Sequence, residues 1–252
     1  MKALDFLFPR HCNICHKRLL PEEKVVCSEC MEDIPFTYFW TVEDNEMADK
    51  INARIQEYLV TLPAAEGYPV HRKEQYCNAC ALMFYRDESN YRQVPMQIKY
   101  FANFFVARHF GNLLGEKLGQ CPWFTSVDMV IPVPLHWSRA VHRGYNQAYL
   151  IARAISKTCS AGTRLIRTDV LYRTRRTKTQ TRLTPEEKKV NVAYAFAVRR
   201  RAIASIAQKP HHILLVDDVF TTGATLAECY KALKPFVHPD TEFSFASIAY
   251  YE

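Results

Sequence analysis

The chain has 252 residues, 48% of them apolar and 23% charged, with nine cysteines and seven glycines. That is the composition of an ordinary folded protein, with room for one large domain or two smaller ones. No run of about 18 uncharged apolar residues occurs, and the opening MKALDFLFPRHC lacks the apolar stretch and small-residue cleavage site of a secretory signal, so no membrane insertion and a cytoplasmic location are expected.

The net charge of +7 is unevenly spread. Residues 1–76 carry nine Lys/Arg against thirteen Asp/Glu, residues 77–138 five against four, and residues 139–252 nineteen against nine. The basic C-terminal part suggests an anionic ligand or polyanionic partner; plain solvated surface is the alternative.

Taken in chain order, residues 1–36 read as a small module nucleated by metal. HCNICHKRLLPEEKVVCSEC places eleven residues between the pair Cys12/Cys15 and the pair Cys27/Cys30. Each C-x-x-C turn presents two sulfurs, and four thiolates close the shell of a structural zinc ion in a ribbon-like fold. Redox-active or simply buried cysteines are the competing readings. Residues 37–80 form an acidic connector with one helix near 46–59, punctuated by Pro63 and Pro69. Cys77 and Cys80 lack a matching pair and read as small buried hydrophobes, a second metal site with His71 or His16 being the alternative.

Residues 81–252 form the main domain. Over 100–118, Phe101, Phe104, Phe105, Phe110, Leu113, Leu114 and Leu118 recur at helical spacing and predict a core-facing stripe. From residue 127 strands and helices alternate. VDMVIPVP is a buried strand, YNQAYLIARAISKT a helix, and RLIRTDVLYR a strand and edge. TPEEKKVNVAYAFAV is a capped helix leading into a strand, and HHILLVDD a strand. TLAECYKALKP is a helix stopped by Pro235, and EFSFASIAYY a final alternating strand. This alternation predicts an α/β fold with a mainly parallel sheet flanked by helices.

ILLVDDVFTTGAT, residues 213–225, carries the chemistry. A strand over Ile213–Val216 leaves Asp217 and Asp218 at its carboxyl end, where open α/β sheets bind ligands. Thr221, Thr222, Gly223, Ala224 and Thr225 then lead into a helix start, whose free N–H groups and dipole suit a phosphate. Adjacent carboxylates accept hydrogen bonds from a vicinal diol. Phosphate cradle and diol acceptors together describe a ribose 5-phosphate site. The G-x-G-x-x-G and G-x-x-x-x-G-K-[ST] patterns are absent. A receiver domain, whose strand also ends in two acids, needs more than the 34 residues that follow Asp218.

This stretch resembles the phosphoribosyl-pyrophosphate (PRPP) motif of type I phosphoribosyltransferases. With the cysteine module, IKY (98–100), VIPVPLHWSRAVHRGYNQA (130–148), LYRTRRTKTQTRL (171–183) and NVAYAF (191–196), the chain is similar to the competence protein F (ComF) family, related to amidophosphoribosyltransferases. The resemblance implies that Asp217 and Asp218 hold the ribose hydroxyls and Thr221–Thr225 the 5-phosphate. It likewise implies that Pro132, Val133, Pro134 and Leu135 form the pyrophosphate loop. Lys99, Tyr100, Arg143, Gly144, Asn146 and Gln147 match the family's own motif, and Arg173, Thr177 and Gln180 the mobile loop. Lys188 stands where members usually carry Arg, and Phe101–Ala102–Asn103 where a Gly soon follows the Lys-Tyr pair.

The loop reading has support from composition, since YRTRRTKTQTR holds four Arg, one Lys and no acid and repels itself until an anion neutralises it. The expected chemistry is magnesium-assisted transfer of a phosphoribosyl group to an unassigned acceptor. The alternative is a non-catalytic PRPP sensor, or a competence protein that handles single-stranded DNA alongside other components of the uptake machinery. Tyr145, Tyr149 and Tyr172 could then serve stacking, although core packing suits them better.

Overall fold

The computed structural model of the protein describes residues 9–61, 76–101, 103–158, 165–175 and 193–251. The first part holds α1 (Ser28–Glu32), α2 (Glu46–Thr61), β1 (Asn78–Tyr85), α3 (Gln93–Tyr100) and α4 (Phe104–Leu118). There follow β2 (Met129–Pro132), α5 (Trp137–Arg143), α6 (Gln147–Thr158), β3 (Leu165–Ile166) and the short β4 (Leu171–Arg173). The last part comprises β5 (Phe196–Val198), α7 (Arg200–Ala207), β6 (His212–Phe220), α8 (Ala224–Leu233) and β7 (Glu242–Tyr251).

Five strands form one sheet in the order β1-β7-β6-β2-β3, and every neighbouring pair is parallel. The α/β architecture expected from the alternation is therefore present. β2 leads through α6 to β3 on one side, while β6 leads through α8 to β7 on the other. Parallel crossovers are right-handed, so these opposite directions put α6 and α8 on opposite faces of the sheet. The order reverses between β6 and β2, and that is where an open α/β sheet has its crevice.

Three elements differ from expectation. β1 was not foreseen because Ala79–Met83 are all buried, and a strand covered on both faces shows no alternation to read. β7 is buried from Phe243 through Tyr250, not alternately, because it lies between β1 and β6 with helices above and below. RLIRTDVLYR divides: β3 edges the large sheet, while β4 pairs antiparallel with β5 in a separate ribbon. The helix expected ahead of β5 lies outside the described residues.

The aromatic stripe needs a correction as well. Phe110, Leu114 and Leu118 are buried in α4, but Phe101 is 66%, Phe104 50% and Phe105 71% exposed. The Asn103 side chain caps α4 by accepting from the Val106 amide at 3.2 Å. Phe101 therefore precedes the helix, and Phe104 and Phe105 sit on its first turn, ahead of the buried face.

The helix expected near 46–59 is α2, and it is part of the core. Met47, Ala48, Ile51 and Ile55 are buried on one of its faces. They belong to one continuous cluster with Cys12 and Ile14 of the cysteine module and Leu214 and Tyr250 of the sheet.

Candidate functional site

The cysteine module is built from two tight turns. Cys12 N donates to the Lys17 carbonyl at 2.8 Å, and His16 N to the Cys12 carbonyl at 3.1 Å, with His16 at φ 62°. Across the module, α1 starts directly after Cys27. Lys17 and Glu29 form an ion pair linking the two turns. The sulfurs of Cys12, Cys15, Cys27 and Cys30 all lie within 4.8 Å of one another, with Cys15 and Cys27 Sγ 3.6 Å apart. Tetrahedral zinc with Zn–S near 2.3 Å wants sulfurs about 3.8 Å apart, so this donor set could hold it. Burial alone would raise the Cys12 thiol, but the amides of Cys15, Cys27 and Ile14 around its sulfur bring it down to about 7. Burial and the neighbouring thiols push Cys30 up, which is the tension a bound cation removes. Cys77 and Cys80 are buried as expected, and Cys80 lies against Cys121.

The second site sits at the sheet reversal. β6 runs on to Phe220, four residues past the expected end, because β7 stays paired with it as far as Phe220↔Tyr250. β2 departs earlier: its last pair is Pro132↔Val216, closed by Val133 N donating to the Val216 carbonyl at 2.9 Å. Asp217 and Asp218 thus lie within the strand, yet beyond the last β2 pair and at the crevice. Asp218 is 4% exposed, and among the described residues its Oδ2 has no hydrogen-bond partner but stands 3.8 Å from Lys99 Nζ. Burial and the adjacent Asp218 hold the Asp217 carboxyl above its usual range.

Gly223 ends the loop and caps α8 at φ 73°, a left-handed conformation that favours glycine. A Cβ there would also lie 2.8 Å from Phe220 Cζ. Phe220 stacks on Tyr250, centroids 5.7 Å apart and planes at 16°, so the loop rests on a rigid aromatic pair. Asp217, Thr221, Thr222, Gly223 and Thr225 line one open depression. Among the described residues no backbone or side-chain acceptor takes the amides of Thr222, Gly223 and Ala224. That is the donor array an anion needs.

The residues matching the family motif gather on the other rim. Asn146 accepts from the Ala148 amide at 3.0 Å, capping α6, and its Nδ2 donates to the Val133 carbonyl at 3.0 Å. One side chain therefore fixes both the helix start and the segment Pro132–Leu135. Gly144 at φ 75° makes the turn from α5 into α6. Arg143 lies over the Tyr100 ring at 5.3 Å and donates to Gln147 Oε1 at 3.4 Å. Tyr145 donates to the Ile98 carbonyl at 2.5 Å. Arg173, at the end of β4, lies 5.0 Å from the Phe196 ring; Thr177 and Gln180 lie outside the described residues.

Arg54 of α2 was missed by the sequence reading. Its Nε donates to the Thr222 carbonyl in the loop, across 168 residues of chain. The only available signal was its place beside the apolar stripe of Ile51 and Ile55, and that does not say which loop it reaches.

No family model matches the chain. Competence protein F of Haemophilus influenzae is 34% identical over 107 residues, 42% of this chain and 44% of that protein. DNA utilization protein YhgH of Escherichia coli K12 is 32% identical over 108 residues, 42% and 43% of the two chains. The protein of that name from Salmonella typhimurium is 30% identical over 140 residues, 54% and 58%. The matched stretches span less than two thirds of each relative, and they bear out the resemblance to the ComF family.

Proposed function

We propose, taking the ComF likeness as premise, that this chain binds PRPP with Mg2+ at the β6–β2 crevice, and that it serves DNA uptake as its relatives' names suggest. The observation that carries the reading is the pairing of two carboxylates, one of them buried and, among the described residues, without a hydrogen-bond partner at Oδ2, with a glycine-capped helix start where the amides of Thr222, Gly223 and Ala224 meet no acceptor among the described residues. Asp217 and Asp218 accept the ribose 2′ and 3′ hydroxyls. The amides and hydroxyls of Thr221–Thr225 take the 5-phosphate. The segment Pro132–Leu135, fixed by Asn146, faces the pyrophosphate, and the resemblance assigns Arg173, Thr177 and Gln180 to the family's loop motif. Mg2+, when bound with PRPP, neutralises pyrophosphate charge as a Lewis acid.

Lys99 stands 3.8 Å from Asp218, where its charge offsets that of the paired acids with or without the diol. Transfer would break the bond from ribose C1 to pyrophosphate, which leaves with the electron pair, and form a bond from C1 to the acceptor. Calorimetry with PRPP and Mg2+ tests the site. Saturable binding by the wild type, lost in Asp217→Asn/Asp218→Asn, supports it; absence of binding by the folded, zinc-loaded wild type sinks it.

A second reading has its own observation. Phe105 and Trp137 are each 71% exposed, and exposed aromatics suit stacking on single-stranded DNA, with the basic residues of 139–252 as partners for its phosphates. Salt-sensitive quenching of tryptophan fluorescence by an oligonucleotide, lost in Trp137→Ala, is the expected sign of that activity.

A further inference from the structure

The loop over Thr221–Gly223 is held on two sides. Beneath it lies Phe220, stacked on Tyr250. Against its flank stands α2, where the Ile51 Cδ1 methyl approaches within 3.5 Å of the Cβ position of Gly223, and where Arg54 Nε donates to the Thr222 carbonyl. α2 is itself anchored to α8 through Tyr58, whose ring lies 5.5 Å from Lys231 Nζ. Ile51 and Ile55 are fully buried, so the stem of Arg54 rises from a fixed helix face.

The C=O and N–H of one peptide unit point in opposite directions. A donor that fixes the Thr222 carbonyl therefore fixes the Gly223 N–H on the other side. The Gly223 amide is one of those left without a protein acceptor among the described residues, and it belongs to the open depression. Gly223, at φ 73°, is the residue with most freedom to rotate its flanking peptides. Something outside the loop must select one orientation.

We propose that Arg54 is a positioning residue for the phosphate cradle: by holding the Thr222 carbonyl it orients the Gly223 amide toward the anion before ligand arrives. The segment between the cysteine module and the sheet is thereby part of the binding site. The inference rests on the phosphoribosyl reading for the identity of the ligand, but not for the contact itself.

The test uses the full zinc-loaded chain, isotope-labelled, as wild type, Arg54→Met (stem kept, donors removed) and Arg54→Gln (a neutral donor restored); Arg54→Ala replaces the first if it does not fold. In the ligand-free protein, Arg54→Met shifts the Thr222 carbonyl carbon and Gly223 amide nitrogen resonances. With ligands, it weakens ribose 5-phosphate binding by about tenfold, the loss expected of a charged hydrogen bond. Binding of magnesium pyrophosphate is unchanged, and Arg54→Gln recovers most of the loss. Unmoved Thr222 and Gly223 resonances overturn the proposal, as does equal weakening of both ligands, which marks a general structural role. If the wild type binds neither PRPP nor ribose 5-phosphate, the functional reading fails, and the resonances still decide whether Arg54 sets the loop.

Discussion

Asp217 shows how a single residue can be costly to the fold and yet stand at the proposed site. Its burial and its neighbour Asp218 hold its carboxyl above the usual range, so ionising it is unfavourable in the folded state. The penalty is absent in acid, below the unfolded-chain value of about 3.9, grows as pH rises above that value, and is complete once pH passes the raised folded value. Asp217→Asn is therefore expected to raise the thermal midpoint at pH 7, with the gain disappearing in acid, while PRPP binding is lost. A melting series across pH beside calorimetry checks both halves; a mutant no more stable at pH 7 contradicts the electrostatic account. Gly223 is the complementary case. Gly223→Ala meets an unfavourable φ and the Phe220 ring together, and about 1–3 kcal/mol of lost stability is expected in denaturant titration. Both residues stand out in the sequence, because paired acids followed by threonines and a rare glycine have few uses. Lys99 is different: its 3.8 Å approach to Asp218 joins residues more than a hundred positions apart.

Among elements, α6 and the loop before it show how one cap can serve two ends. Asn146 satisfies the first turn of α6 and holds the Val133 carbonyl, so Asn146→Ala removes a cap and a tether together. A loss of about 1–2 kcal/mol is expected, with magnesium pyrophosphate affinity falling more than that of ribose 5-phosphate. Equal loss for both ligands counts against a local role at Val133. Helix α6 was legible from its apolar periodicity, and β2 from its unbroken apolar run. β1 was not, because burial on both faces erases the alternation that marks a half-exposed strand. The first turn of α4 misled for a related reason. Periodicity registers Phe104 and Phe105 as members of a stripe but cannot say where the covering layer stops.

For the whole molecule, the question is how far the cysteine module supports the rest. Its Cys12 and Ile14 share one buried cluster with α2 and the sheet, so removal of an ion from the four cysteines is expected to be felt beyond residue 36. Native mass spectrometry is expected to find one zinc. A strong chelator is then expected to lower the melting temperature of the entire chain, not to produce a separate early transition. Because thiolates bind the ion and protons compete for them, zinc should be released as pH falls. Two well-separated transitions after chelation would show that the module and the sheet are energetically independent.

The sequence by itself determined what is local. Four cysteines at close spacing can meet only around one small volume, strand and helix periods mark most of the α/β core, and the run from Asp217 to Thr225 carries its donors and acceptors within nine residues. Tertiary structure decided what depends on neighbours distant in the chain. Sheet order placed the reversal between β6 and β2, the continued pairing with β7 carried the acids into a strand, and packing of α2 brought Arg54 to the Thr222 carbonyl. The reason is physical: periodicity and turn chemistry are properties of consecutive residues, whereas a crevice exists only where one strand leaves another, and the sequence does not mark that parting.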